Sequence, residues 1–109
     1  SSTKEDKEFE SDLGIEFSGL NNTIRERFNI DANVSGIVVT RVVPFSLASQ
    51  MGFTMGDVVI EVNKENVKNS KNLLDKIEKA KKEGDKLLFR VLKQNGYNQL
   101  IVLNTKSMN

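Results

Sequence analysis

Between Gly36 and Pro44 lies an unbroken run of mostly β-branched residues, Ile37-Val38-Val39-Thr40-Arg41-Val42-Val43. Such side chains are stiff at χ1 and pack well on a pleated surface, and a run without polar alternation has no face to give to water. It is therefore expected to be a central strand covered on both faces, entered from a turn at residues 33–36 and ended by Pro44. The rest of the chain must supply neighbouring strands and the elements that cover the sheet.

The stretch Ser11-Asp12-Leu13-Gly14-Ile15-Glu16-Phe17-Ser18 supplies one neighbour. Leu13, Ile15 and Phe17 recur every second residue and so share a face, while Glu16 and Ser18 point the other way. Gly14 removes a Cβ where backbone amides can converge on a guest acceptor, for which a carboxylate is the natural choice. Two readings stand: a turn before an ordinary buried strand, or the mouth of an open edge that takes up an extended peptide as one more strand.

Asn21-Asn22-Thr23 offers N-caps for a short helix through Ile24 and Phe28, with Arg25, Glu26 and Arg27 on its wet side. Ser46 caps a helical turn over Leu47–Met51 that stops at Gly52. Gly56-Asp57 marks a turn into the strand Val58–Val62, followed by a polar turn at residues 63–66. Ser70–Glu83 is the clearest helix, with Leu73, Leu74, Ile77 and Ala80 on one stripe and Asp75/Lys79 and Glu78/Lys82 as i,i+4 pairs. Lys79, Lys81 and Lys82 suit the negative end of its dipole and read as a solvated face, and Gly84 closes it. Residues 86–93 and 99–104 form two strands joined through Gln94-Asn95-Gly96. Residues 1–11, charged around an isolated Phe9, read as a disordered linker or tail, and residues 105–109 as a frayed end. The fold class is mainly β with α+β character: a partly open antiparallel barrel or sandwich of about five or six strands, capped by two or three helices.

The chain has 109 residues, the length of a single domain, with a net charge of +1. That charge, the absence of Trp and the lack of basic runs interleaved with aromatics argue against nucleic acid. No apolar run approaches the ~20 residues of a membrane span. Without His or Cys, neither a Ser-His-Asp or Cys-His arrangement nor an imidazole or thiolate metal site can be built. The acidic pairs Asp12/Glu16 and Glu61/Glu65 have spacings expected by chance in a chain that is 28% charged, and no Ca²⁺-loop pattern occurs. No enzyme activity, cofactor or metal is expected. There is no signal peptide and no starting Met, so the chain is expected to be a piece of a longer one.

The order Leu13-Gly14-Ile15 with an alternating strand, then residues 36–48, then Met51-Gly52-Phe53-Thr54-Met55-Gly56-Asp57-Val58-Val59-Ile60-Glu61-Val62-Asn63, then an amphipathic helix, resembles a PDZ domain over residues 12–104. The Gly52-x-x-x-Gly56-Asp57 segment is similar to PDZ domains attached to bacterial HtrA (DegP-like) serine proteases. The loop stands at the start and residues 100–103 supply the strand that precedes it in animal relatives, an order that looks most like the second, C-terminal PDZ domain of such a protease.

The resemblance implies a non-catalytic module that binds apolar C-terminal or unfolded peptides by strand addition, in a periplasmic protein-quality-control protease. Its groove would run between residues 15–18 and Ser70–Glu83, with the amides of Leu13, Gly14 and Ile15 as the carboxylate loop. Leu13, Ile15, Phe17, Ile77 and Ala80 match the pocket for the last ligand side chain, Leu73 matches the position facing the third-from-last, and Glu16, Ser18 and Leu74 complete the set. Partners implied are peptides or unfolded proteins and the parent's protease and PDZ domains. The alternatives are a module that assembles protease cages with its groove filled by its own linker, or a PDZ domain of a site-two or tail-specific protease. Asp12 sets a negative charge beside the carboxylate position, for Arg25 or Arg27 to offset. Phe45 and Leu47 stand where relatives often carry Gly and Pro; a core side chain is expected at Phe45, the other reading being a contact with a partner domain.

Overall fold

The computed structural model describes residues 9–10 and 13–108. Its strands are β1 (Phe9–Glu10), β2 (Ile15–Gly19), β3 (Ile37–Val42), β4 (Val58–Val62), β5 (Glu65–Asn66), β6 (Lys86–Leu92) and β7 (Asn98–Asn104). Three α-helices join them: α1 (Asn22–Phe28), α2 (Leu47–Met51) and α3 (Ser70–Glu83). All pairings are antiparallel, in the order β1-β2-β3-β4-β6-β7 with β5 on β4, and the sheet does not close. The sheet exceeds the expected strand count through β1 and β5, both two residues long.

Local chemistry sets the helix ends. Asn21, Ser46 and Asn69 each accept an amide hydrogen bond as N-cap, and Asn29, Gly52 and Gly84 close the three helices in the left-handed conformation. Arg25 is not the free surface cation its spacing suggests. Its guanidinium donates to the carbonyls of Asp31 (2.6 Å) and Val34 (2.9 Å) and so ties down the loop between α1 and β3.

Strand β3 is buried on both faces only over its first four residues: Ile37, Val38 and Val39 are almost wholly covered and Thr40 is buried, while Arg41 is exposed and Val42 half-buried. One face carries the main core, in which Leu13, Ile15, Phe17, Val39, Val59 and Phe89 meet Leu73, Ile77 and Ala80 of α3. Phe53 and Phe89 cross edge to face at 5.4 Å between ring centres. Phe28, Val38 and Val58 are buried apart from that cluster. A fully buried Phe contributes roughly 1.5–3 kcal/mol, so these contacts anchor the sheet.

Two expectations change here. Residues 105–108 do not fray: they form a 3-10 turn in which the buried Thr105 hydroxyl donates to the Asp85 carbonyl at 2.6 Å. Phe45 is not a core residue. It is 93% exposed and holds a φ of +63°, because Pro44 and the Ser46 cap turn the chain outward between β3 and α2.

The turn at Gly56-Asp57 conceals a charge. Asp57 is fully buried, accepting from the Thr54 amide (2.8 Å) and hydroxyl (2.8 Å) and from Lys93 Nζ (2.7 Å). Lys93 also donates to the Gly52 carbonyl at 2.9 Å, so one ammonium joins the end of β6 to the whole 52–57 turn.

Candidate functional site

The loop at residues 13–15 is fixed by its carbonyls. Leu13 O accepts from the Ala48 amide of α2 (3.0 Å), and Gly14 O from the Val43 amide at the end of β3 (2.8 Å), where it continues the β2–β3 ladder. In a trans peptide the C=O and the following N–H point in opposite directions. The Gly14 amide is therefore turned away from Ala48, and the Ile15 amide away from β3, toward the edge of β2 on which β1 lies.

Gly14 has a φ of +98°, and a Cβ there would overlap Ser46, whose Oγ would lie 2.6 Å away. Only glycine satisfies both the backbone angle and the contact. Its first constraint is thus packing against the cap of α2, beyond the approach of a guest for which the sequence suggests it.

Beside β2 stands α3, which packs against β2 and also against β1. Of the residues singled out from sequence, Leu13, Ile15, Phe17, Leu73, Ile77 and Ala80 come together in one buried cluster, with Leu74 half-buried against it. Glu16 and Ser18 go elsewhere. Glu16 binds Arg41, its register partner on β3, at 3.1 Å. Ser18, expected on a polar face, is buried, and its hydroxyl donates to the Gly19 carbonyl at 2.9 Å. Its register partner Val38 is fully buried too, so both faces are covered at this end of β2.

Ser70 carries no signal of a site in the sequence beyond its place at the start of α3. It stands one turn before Leu73, fully buried, with no hydrogen-bond partner for its Oγ among the described residues. On the outer side of α3, Lys76 binds Glu65 of β5 at 2.8 Å. That hydrogen bond, reinforced by the charges of Lys76, Lys79 and Lys68, holds the Glu65 carboxyl below the ordinary carboxylate range. Asp12 lies outside the described residues, and Arg25 is already committed to the Asp31 and Val34 carbonyls. A depression of about 530 Å³ lined by Phe28, Asp31, Lys93 and Gln94 shares no residue with β2 or α3.

An open antiparallel sheet with one helix packed beside its β1–β2 end and a glycine loop before β2 is the architecture of a small binding module. The chain belongs to the PDZ domain family, whose model matches residues 11–104.

Within that family the similarities run to HtrA-type proteases. The chain is 37% identical over 68 residues to a probable periplasmic serine endoprotease DegP-like of Bartonella henselae, covering 62% of this chain and 14% of that protein. It is 37% identical over 59 residues to the mitochondrial serine protease HTRA2 of Drosophila virilis, covering 54% of this chain and 14% of that protein. The chain thus spans a small fraction of the curated relatives it matches. Among solved structures it is similar to the HtrA3 PDZ domain bound to a phage-derived ligand (FGRWV), with 25% identity, a TM-score of 0.65, and 90% and 84% of the two chains covered. The HtrA-type protease AlgW with decapeptide shares the fold at a TM-score of 0.70 and 23% identity, over 89% of this chain and 28% of that one. A PDZ domain is a binding module, and in the HtrA proteases the protease domain is separate from it.

Proposed function

We propose that this domain recruits extended apolar peptides, as chain ends or unfolded segments, to a DegP-like serine protease of the periplasm. The observation that supports this reading is the edge of β2 opposite β3, beside which α3 packs and toward which the Ile15 amide is turned by the Gly14 O–Val43 bond. A strand that takes the place of β1 there gains backbone hydrogen bonds from β2, and its side chains are assigned to Leu73, Ile77 and Ala80, each at most 5% exposed in the domain alone. The parent's protease and PDZ domains are its expected covalent neighbours, and its work belongs to protein quality control.

Selectivity is assigned to Leu73. A ligand hydroxyl buried against it finds no partner on that side chain, at a cost of about 1–3 kcal/mol, so an apolar third-from-last residue is preferred. The small side chain of Ala80 is assigned to the pocket for the last ligand residue, for which a large side chain such as Phe is the expected preference. Calorimetric titration of peptides ending in Val-Ala-Phe and Thr-Ala-Phe is expected to give micromolar binding and a Val preference of about fivefold to 100-fold. Leu73→His is expected to narrow or invert that ratio. A wild type that prefers Thr, or a ratio unmoved by Leu73→His, removes Leu73 from the groove. Amidated and free peptides separate the two ligand sources: equal binding assigns the groove to internal segments, and a loss on amidation assigns it to chain ends.

One observation favours a second reading, a cage-assembly module with its groove filled by its own linker: β1 pairs with β2. Sizing the parent protein with and without residues 12–104 distinguishes the two roles.

A further inference from the structure

We infer that residues 9–10 are an intramolecular occupant of this groove, so that the chain regulates access to its own binding site. The inference rests on the peptide-groove reading above. Strand β1 pairs antiparallel to β2 in the register Phe9↔Phe17 and Glu10↔Glu16, and α3 packs against it. It therefore takes the place at the sheet edge, between β2 and α3, that an added peptide strand would take. Its direction matches as well: a strand antiparallel to β2 runs toward the start of β2, where the 13–15 loop stands.

The composition of the occupant sets how firmly it is held. Residues 4–10, Lys-Glu-Asp-Lys-Glu-Phe-Glu, hold one apolar residue among six charged ones, so as a free peptide this segment has little surface to bury. Tethering compensates, because a short linker presents it at an effective concentration on the order of millimolar. A self-ligand of low intrinsic affinity and high local concentration keeps the edge closed by default and yields to a peptide with more apolar side chains.

The test uses the full chain and its Phe9→Pro/Glu10→Pro variant, since proline cannot donate to a strand ladder. The probe is a short peptide ending in Val-Ala-Phe. Apparent affinity falls by the fraction of open groove, so the variant is expected to bind about tenfold to 100-fold more tightly. Independently of any ligand, NMR amide shifts and hydrogen exchange of Ile15–Gly19 are expected to change in the variant, and a millimolar free peptide of residues 4–12 is expected to restore the shifts. Equal probe binding with unchanged β2 amides overturns self-occupancy and leaves the groove's peptide role standing. Changed β2 amides with no probe binding by either protein support self-occupancy and overturn the peptide-recruiting reading instead.

Discussion

Lys93→Met is expected to lower the unfolding free energy by about 3–5 kcal/mol, the usual consequence of leaving one member of a buried ion pair alone. The methionine keeps the apolar stem and removes only the ammonium, so the loss falls on Asp57, which is 0% exposed and loses its 2.7 Å partner. The Thr54 amide and hydroxyl still donate to the carboxylate, but they carry no formal charge. For a domain of this size the melting temperature is expected to drop by at least about 12 °C. Urea and thermal unfolding of the two proteins measure it. A variant within about 1 kcal/mol of wild type would mean that the Asp57 carboxylate is solvated, contrary to its position under the 52–57 turn.

The second large effect is expected at Gly14. Gly14→Ala forces an L side chain to a φ of +98° and drives its Cβ into Ser46. The backbone strain alone costs about 1–3 kcal/mol, and the overlap adds to it by pushing the loop off α2. Peptide binding is expected to weaken at least tenfold, because the Gly14 and Ile15 amides keep their direction only while Leu13 O and Gly14 O stay bound to Ala48 and Val43. Adding Ser46→Gly clears the overlap and gives up little capping energy, so the double variant is expected to recover part of the stability but not the backbone term. A Gly14→Ala protein with wild-type melting and an unchanged binding isotherm excludes the loop from the site.

Much of the architecture was legible because local and global preferences agree. Ile37 to Thr40 are buried on both faces, as an unalternating β-branched run requires. Ser70–Glu83 begins at the cap Asn69 and ends at Gly84, and Gly96 turns the β6–β7 hairpin with a φ of +91°. What escaped has a common cause: it depends on partners distant in sequence. Lys93 reads as a strand-end surface cation until the 52–57 turn folds over it. Arg25 reads as wet until the Asp31 and Val34 carbonyls come within reach. Phe45 reads as core by hydrophobicity, yet its place between Pro44 and a helix cap expels it. Phe9 sits in a stretch too charged to suggest a strand, and only the open edge of β2 gives it one.

The register of β1 also bears on speed. Glu10 opposite Glu16 makes β1 and β2 the arms of a hairpin closed through a short connection, and hairpins of that kind form in about 1–10 μs. Each time the arm lifts, an incoming strand has only that interval in which to nucleate its first hydrogen bonds on β2. Capture of a partner by this domain would then be gated by the opening frequency of its own first strand, giving association rates below the usual range of about 10⁵–10⁷ M⁻¹s⁻¹ that rise when that strand is weakened, while dissociation rates stay the same.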